Sequence, residues 1–329
     1  MQRSAVCGVL WLLATGCVPP ALLITPVSGE RQLREQIVRR EKPLALRKIA
    51  VVDVDGVLSN ARGGGLLGGS RGNPVAMLQE KLDLARRDEL VEAIVLRINS
   101  PGGGVTASDL MYQALRDFRQ RSGKPIIASF QDVAASGGYY IACAADRILA
   151  NPTSVTGSIG VIMITPDVSG TMERIGVQAN IIKSGPMKDA GTPLRPMKDD
   201  ERAVMQQLVD AMYERFLAVV GESRKSLQPE RIRTLADGRV YLAPQALEAG
   251  LIDQIGGLDD AIAAAKSAAG VDGPVQVVVY AAPAEYRANI FAGAPDEPRS
   301  EAELSVKIPL PAWFSSDSPQ FLYLWAPAW

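Results

Sequence analysis

The chain has 329 residues, of which 47% are hydrophobic, and its 35 Lys and Arg residues against 36 Asp and Glu residues give a formal net charge of −1. This composition predicts a globular protein with a sizeable core and excludes a collagen, a disulfide-rich miniature and a wholly disordered chain, while the balanced charge argues against a nucleic-acid binder. The sequence contains no histidine, so a Ser-His-Asp triad and any metal site that needs imidazole are excluded.

The first 17 residues are typical of a targeting segment. Arg3 precedes an apolar run over residues 5–14, which is shorter than the ~20 residues needed to cross a bilayer. Small residues then lead to Cys17, in a pattern typical of a bacterial lipoprotein signal with Cys17 as the lipidated residue. An uncleaved anchor and simple secretion are the alternatives. All three place the body of the protein outside the cytoplasm, at or near a membrane.

Residues 18–47 are predicted to be a linker with a charged helix over residues 30–47, and residues 48–269 a single main domain. Within this domain, apolar runs predict strands and amphipathic runs predict helices, in alternation. This alternation predicts an α/β fold with a largely parallel sheet. The glycine-dense residues 60–73 are predicted to form a loop. The predicted strands are 48–57, 91–98, 124–130, 147–150 and 178–182, and the predicted helices are 74–87, 106–121 and 168–175.

From residue 198 the main domain becomes helical. Apolar residues from Met205 to Val219 recur at spacings of three and four, which predicts one core-facing side of a helix. Two further helices are predicted at 243–250 and 258–269. Residues 270–329 are predicted to be a proline-rich linker with an aromatic tail, residues 321–325. This tail could pack on a partner subunit, touch lipid headgroups or form a terminal strand on its own domain.

Two segments are rich in small residues at the ends of predicted strands. Gly102, Gly103 and Gly104 follow the second strand of the main domain, and their unshielded N–H groups could stabilise an oxyanion or hold a phosphate. The alternative is that these glycines only serve the turn. Ser136 lies among small residues at the start of a predicted short helix, where a nucleophile could be presented. Its alternative role is to cap that helix.

A third segment carries Lys183 and Lys188 after the last predicted strand. A solvated lysine has a pKa of about 10.4 and is a poor base, but burial lowers a lysine pKa. Without histidine, a desolvated lysine is the natural activator of a serine. The residues alone do not choose between Lys183 and Lys188, and a surface charge is the alternative for either.

Asp53 and Asp55 follow the first strand of the main domain and resemble the first motif of haloacid-dehalogenase-like phosphatases. In such enzymes the first aspartate attacks phosphate and the second is the acid/base. The further acidic pair that they need has only a weak counterpart here, since Asp259 and Asp260 lie at a helix start without a preceding apolar strand. The phosphatase is therefore the less favoured alternative.

Four motifs in order resemble the signal peptide peptidase A family, in its short, single-repeat bacterial form, over residues 48–269. They are Pro101-Gly102-Gly103-Gly104, Ala134-Ala135-Ser136-Gly137-Gly138-Tyr139-Tyr140, Thr156-Gly157-Ser158-Ile159-Gly160-Val161 and Lys183-Ser184-Gly185 with Lys188-Asp189. The resemblance implies a ClpP/crotonase-like α/β fold, a spiral of ββα units, with subunits that assemble into a homo-oligomeric ring or dome.

The resemblance also implies the site residues of a serine peptidase that needs neither cofactor nor metal. Ser136 takes the nucleophile position and Lys188 the general-base position. The N–H groups of Gly103 and Gly137 take the oxyanion position, and Ser158 orients the lysine. Because the dyad members are 188 − 136 = 52 residues apart, either the fold or a neighbouring subunit must bring them together.

The implied substrates are cleaved signal peptides and other unfolded apolar peptides at the extracytoplasmic face of a bacterial membrane. The protein would be attached there through a lipid anchor or its N-terminal segment. The lipoprotein signal departs from the family, which is usually held by a transmembrane helix, and the glycine-dense loop is a second departure. An acyl-CoA enzyme of the crotonase type and an inactive scaffold of the same fold are the rival functions.

Overall fold

A computed structural model of the chain describes residues 33–60, 63–64, 70–71, 73–282, 289–290 and 321–325. The predicted leader and its Cys17 lie outside the described residues. Every element named below belongs to the compact unit Leu33–Trp329. None of the helices in the described ranges is long and apolar enough to span a membrane.

The strands, in chain order, are β1 (Arg34–Arg40), β2 (Lys48–Asp55), β3 (Gly63–Gly64), β4 (Ser70–Arg71), β5 (Val91–Ser100), β6 (Gly102–Gly104), β7 (Ile126–Ala135), β8 (Arg147–Ala150), β9 (Val155–Gly157), β10 (Ile162–Met163), β11 (Val240–Leu242), β12 (Gln254–Ile255), β13 (Gln276–Ala281) and β14 (Phe321–Leu324). The helices are α1 (Pro74–Arg87), α2 (Val105–Ser122), α3 (Gly137–Ala142), α4 (Ser169–Arg174), α5 (Asp199–Ser223), α6 (Pro229–Leu235), α7 (Ala243–Glu248) and α8 (Leu258–Ala268).

A nine-stranded sheet is the centre of the fold. Its main path runs β1-β13-β2-β5-β7-β8-β12, with β9 beside β7 and β11 beside β9. The strands β2, β5 and β7 are parallel, and their near-continuous apolar sequences are typical of strands buried on both faces. Along β2, Ala50 and Val52 pack into one apolar cluster while Ile49 and Val51 pack into a second. The predicted α/β architecture with a largely parallel sheet is confirmed.

The carboxyl ends of parallel strands meet at one edge of the sheet, and this edge carries the sequence motifs. β5 runs into the glycine strand β6, and β7 runs into α3. β9 joins β7 in parallel, with Ala134 opposite Thr156 and Ala135 opposite Gly157. The sheet therefore brings three of the four motifs together.

The helix predicted after residue 198 is α5, and its apolar side chains are fully buried only in its second half. Phe216 and Val219 are in the core, whereas Val204 and Leu208 on the first half are each 42% exposed. The first half therefore carries apolar side chains that are not fully covered within this chain.

The helix predicted over residues 30–47 is wrong, because residues 34–40 form the strand β1. This strand pairs antiparallel with β13 at the edge of the main sheet. Its charged residues favoured a helix in the sequence, but an edge strand tolerates charge because one side stays in water.

Two other predicted elements are also wrong. Residues 178–182 form no strand, because β-branched and apolar residues make a strand only where a partner strand is available, and Ile182 here is fully exposed. Part of the predicted C-terminal linker, residues 276–281, is instead the strand β13, which is buried along its whole length between β1 and β2. Two strands outside residues 48–269 thus complete the main sheet.

Candidate active site

Ser136 follows β7 directly and begins α3. Its backbone has φ 51° and ψ −115°, and a positive φ is uncommon for a residue other than glycine. Its N–H donates to the carbonyl of Gly157 in β9 at 2.7 Å. The side chain makes no capping hydrogen bond to α3, so the alternative that Ser136 only caps the helix is wrong. Ser136 instead lines a cavity of about 590 Å³.

The small residues after Ser136 allow α3 to pack closely on the neighbouring turn. A Cβ added to Gly137 would lie 2.5 Å from the Ser108 Oγ atom, and one added to Gly138 would lie 2.8 Å from the Ser100 carbonyl oxygen. Atoms at these distances would overlap, and the close-packed interior leaves the neighbouring groups little room to move. The glycines are therefore required where they stand.

The glycine strand β6 lies beside Gly137. A Cβ on Gly102, which has φ 99°, would lie 2.6 Å from the amide nitrogen of Gly137, and a Cβ on Gly137 would lie 3.2 Å from the amide nitrogen of Gly103. The backbone at Gly103 and at Gly137, the two predicted oxyanion donors, is therefore brought together next to Ser136. Small residues at both positions make this approach possible.

Ser100 fixes the turn that leads into β6, a role that the sequence analysis did not identify. Its buried hydroxyl donates to the Gly56 carbonyl at 2.6 Å and accepts from the Gly102 N–H at 3.1 Å. The Ser100 side chain thus connects β6 to the residue that follows β2 through two hydrogen bonds. The sequence offered no signal beyond its position directly before the glycines.

Ser158 reaches the same cavity from the end of β9. Like Ser136, it has a positive φ, 49°, and its N–H donates to the Arg239 carbonyl at 2.7 Å. Ser136 and Ser158 both line the cavity. A hydroxyl at this position can accept or donate a hydrogen bond to a group that enters the cavity.

Lys188 is not brought to Ser136 within this chain. It lies on the exposed segment between α4 and α5, and it is not among the residues that line the Ser136 cavity. Lys183, the other candidate, donates to the Asp189 carboxylate and, at 2.9 Å, to the Pro186 carbonyl. Among the described residues Lys183 is therefore committed to an ion pair, whereas Lys188 forms none.

A chain of charges orders the segment that carries Lys188. Asp189 accepts from Lys183 and, at 2.9 Å, from Arg195, which also pairs with the buried carboxylate of Glu201. The hydrogen bond from Lys183 and then the guanidinium of Arg195 lower the pKa of Asp189 to about 2. The hydrogen bond from Arg195 also lowers the pKa of Glu201. Both carboxylates are therefore charged at neutral pH and hold the segment against α5.

Asp53, the nucleophile of the phosphatase alternative, is held in a buried ion pair. The Asp53 carboxylate accepts from the Arg97 Nε atom at 2.7 Å, and both side chains are almost completely buried. A carboxylate held in a buried ion pair is a poor nucleophile because attack would leave the guanidinium without its partner. Within the described ranges, no group of three or more metal-ligating side chains is placed to hold a metal ion.

The C-terminal tail contributes to the site, which the sequence analysis had left among three alternatives. Residues 321–324 form β14, a strand on the chain's own domain. Leu324 and Trp325 line the cavity together with Ser136. The alternation of aromatic and aliphatic residues over 321–325 was the available signal for a strand.

Comparison with known proteins gives one family and several relatives. The model of peptidase family S49 matches residues 118–272. A protein of Enterococcus faecium whose name designates it a signal peptide peptidase SppA is 35% identical over 234 residues. Protease 4 of Salmonella typhi is 38% identical over 181 residues, and the chloroplastic serine protease SPPA of Arabidopsis thaliana is 36% identical over 225 residues.

The matches differ in how much of each relative they cover. The aligned region is 71% of this chain and 67% of the Enterococcus protein. It is 55% of this chain and 29% of the Salmonella protein, and 68% of this chain and 33% of the Arabidopsis protein. The chain therefore spans about two thirds of the first relative and about a third of the other two.

Proposed function

This chain belongs to peptidase family S49 and is a peptidase with a ClpP-like α/β fold, and we propose that Ser136 is its nucleophile and Lys188 its general base. The expected fold class is confirmed by this family membership. The choice of Ser136 rests on its position: it lies at a strained turn, in a cavity, beside the backbone of Gly103 and Gly137. Strained backbone of this kind is concentrated at functional sites.

The geometry supports acyl transfer. Neutral Lys188 accepts the Ser136 proton as the hydroxyl oxygen attacks the peptide carbonyl. The N–H groups of Gly103 and Gly137 stabilise the tetrahedral oxyanion, and losing one such donor typically costs ~10²–10³ in rate. The lysine then returns the proton to the leaving amine, and water releases the acyl group by the same steps. Ser158 orients the lysine from the cavity wall.

A second copy of the chain supplies Lys188. The segment that carries it is exposed, and so are several of its large apolar side chains, a pattern that marks an interaction surface. The two most exposed are Ile175 at 69% and Ile182, which is fully exposed. Packing this segment on a neighbouring subunit would bury these side chains. It would also desolvate Lys188, and desolvation favours the neutral form of a lysine.

The proposed substrates are cleaved signal peptides and other unfolded apolar peptides. The name of the Enterococcus relative gives signal peptides, and no other peptides, as what that protein acts on. The targeting pattern of residues 1–17 supports action at the extracytoplasmic face of a bacterial membrane, with Cys17 as the lipid anchor. A homo-oligomer attached there would meet such peptides after their release from exported proteins.

The test compares four variants on an unfolded apolar peptide. Ser136→Ala removes the nucleophile and Lys188→Arg replaces the base by a group that stays protonated, so both are expected to lose cleavage by at least ~10³-fold. Lys183→Arg is the matched control, since arginine keeps the ion pair with Asp189, and it should retain most of the activity. Ser158→Ala should show a smaller loss, because Ser158 only orients the base.

Three outcomes contradict the proposal. Cleavage that survives in Ser136→Ala would assign the reaction to another residue. Loss of activity in Lys183→Arg with retention in Lys188→Arg would reverse the choice of lysine. A correctly assembled wild type that cleaves no peptide would favour the inactive scaffold.

A further inference from the structure

The short loop between β1 and β2, residues 41–47, exposes two leucines to solvent. Leu44 is 91% exposed and Leu46 is 69% exposed, whereas Ala45 between them is 2% exposed. Among the large apolar side chains of the described residues, only Ile182 is more exposed than Leu44. Scattered single apolar residues are ordinary on a surface, whereas neighbouring ones that form a patch indicate an interaction site.

Hydrogen bonds on both sides of the leucines hold this loop against the rest of the domain. The Ala45 carbonyl accepts from the side chain of Gln276. The Glu41 carboxylate accepts from the Val275 N–H at 3.1 Å and from Lys266 at 2.8 Å. The two leucines are therefore presented by an ordered loop, and a partner that binds them has little loop entropy to overcome.

The charge around the leucines is positive. Arg40, Lys42 and Arg47 are exposed, and Glu41, the carboxylate of the loop, is already paired with the lysine of α8. Arg47 lies 3.2 Å from the Glu92 carboxylate, whereas no carboxylate of the described residues pairs with Arg40 or Lys42. Cations beside exposed apolar side chains complement a lipid bilayer with anionic headgroups.

The turn between α1 and β5 extends this surface. Its Leu90 carbonyl accepts from the Lys48 N–H at 2.7 Å, which places the turn beside the end of the loop. The Leu90 side chain is 44% exposed, and the exposed charges of Arg87 and Glu89 next to it offset each other. The loop and the turn thus form one surface with three exposed leucines and a net positive charge.

This surface lies at the edge of the main sheet opposite to Ser136. Arg40 is paired with Gln276, and Gln276 is paired with Lys48, the first residue of β2. The loop therefore lies at the amino ends of the parallel strands, whereas Ser136 follows the carboxyl end of β7. A flat partner that covers the loop would leave the Ser136 cavity uncovered.

We propose that the loop 41–47, together with Leu90, docks the domain on an anionic lipid bilayer. The leucines enter the boundary between headgroups and acyl chains, a depth of roughly 5–10 Å, and Arg40 and Lys42 bind lipid phosphates. The docked domain holds its Ser136 edge toward the aqueous side. This inference concerns the placement of the domain and depends neither on the peptidase assignment nor on lipidation of Cys17.

The test measures the depth of the loop in the bilayer with the full chain. A polarity-sensitive dye is attached at Leu44→Cys or, as a control on α2, at Leu110→Cys, a residue that is 38% exposed. Cys7→Ser and Cys17→Ser leave Cys143 as the remaining native cysteine, which is buried. Phosphatidylglycerol vesicles with brominated acyl chains should quench the dye at position 44 several-fold more than the dye at position 110, because bromine quenches only dyes close to it.

Further changes, with the dye at position 44, test the leucines and the charge separately. Leu46→Glu should remove most of the quenching, since a carboxylate is repelled by the headgroups. Lys42→Glu should reduce it, and so should vesicles of phosphatidylcholine alone or salt of about 1 M, which screens charges beyond about 3 Å. Residues 1–32 are the same in these chains apart from the two serine substitutions that all of them share, so vesicle binding by that segment does not produce the contrast.

Equal quenching at positions 44 and 110, or none at position 44, would overturn the inference. A blue shift of the dye at position 44 that grows with protein concentration in the absence of vesicles would also overturn it, because the loop would then be covered by a second protein chain and not by lipid.

Discussion

Ser136 and Ser158 are the two residues other than glycine that have positive φ in the described part of the chain. They come from different strands, yet both line the same cavity. Such conformations each cost of the order of 1–3 kcal/mol and persist only where the surrounding structure enforces them. Here the bonds from Ser136 N–H to Gly157 and from Ser158 N–H to Arg239 provide that enforcement. The coincidence at one cavity favours a functional role for both.

Two neighbouring glycines give a matched pair of substitutions at the residue scale. A Cβ on Gly103 would lie 2.1 Å from the Leu58 carbonyl oxygen, whereas a Cβ on Gly104 meets nothing closer than 3.8 Å. Gly103→Ala should therefore displace β6 and lower kcat/KM by at least the ~10²–10³ expected for one oxyanion donor. Gly104→Ala should remain active and lose only about 1 kcal/mol or less, as a helix N-cap change.

Steady-state kinetics on the same peptide and thermal unfolding of both variants check this pair. Equal activity of the two variants would show that the position of Gly103 does not matter to the reaction.

At the scale of elements, the segment between α4 and α5 is held by charge pairing and not by a core. The preceding helix α4 has no buried residue. Within the segment, the side chains of Lys183, Asp189 and Arg195 are connected to one another and to Glu201 on α5. Ion pairs of this exposure are weak singly and gain when they form a network. The orientation of Lys188 therefore depends on the ionisation of Asp189.

As the pH falls, this segment should lose its hydrogen-exchange protection before the core of the domain does. Because the pKa of Asp189 is lowered to about 2 from an ordinary value of 3.8, its contribution is fully present above pH 3.8 and is lost as the pH falls through about 2. Pulsed hydrogen exchange should show residues 183–197 losing protection in this range while α2 remains protected. Asp189→Asn should show the loose pattern already at neutral pH. Protection equal to wild type in that variant would contradict the role given to Asp189.

The elements that the sequence predicts correctly are those with strong local patterns. The apolar runs of β2 and β5 and the amphipathic runs of α1 and α2 were identified to within a few residues. β1 and β13 were missed because their strand character depends on pairing with each other across more than 230 residues. The strand predicted over 178–182 does not form, because no strand in the described part of the chain pairs with it. In each case, whether a strand forms depends on pairing with a segment distant in sequence.

The site shows the same division. The proximity of Ser136, Gly103 and Gly137 could be predicted because the family resemblance assigns them to one site, and their catalytic roles are still predictions. The role of Ser100 and the passage of β14 through the site could not, because both depend on contacts between distant segments. The place of Lys188 relative to Ser136 is still a prediction, since the single chain holds the two residues apart.

At the scale of the whole molecule, eight of the twenty exposed large apolar side chains among the described residues lie between α4 and the first half of α5. Besides Ile175 and Ile182, this stretch exposes Val204 and Leu208 on α5. A globular chain that folds alone rarely leaves large apolar patches in water. This surface is where we propose that a second copy packs and receives or supplies Lys188.

Mixing two inactive variants tests whether the site is shared. Ser136→Ala retains Lys188, and Lys188→Arg retains Ser136, so mixed assemblies should regain roughly a quarter of the wild-type sites if subunits exchange at random in a closed symmetric oligomer. The variants are mixed, exchange is verified by native mass spectrometry, and peptide cleavage is assayed. Mixed assemblies that stay inactive would contradict a dyad formed between copies.

The most direct test of the central claim is to locate the nucleophile chemically. Wild type and Ser136→Ala are treated with a fluorophosphonate probe, which reacts with activated serines, and the modified peptide is identified by mass spectrometry. We predict a single adduct on Ser136, absent from Ser136→Ala and strongly reduced in Lys188→Arg. An adduct on another serine, or none on assembled wild type that cleaves peptides, would contradict the assignment of Ser136 as the nucleophile.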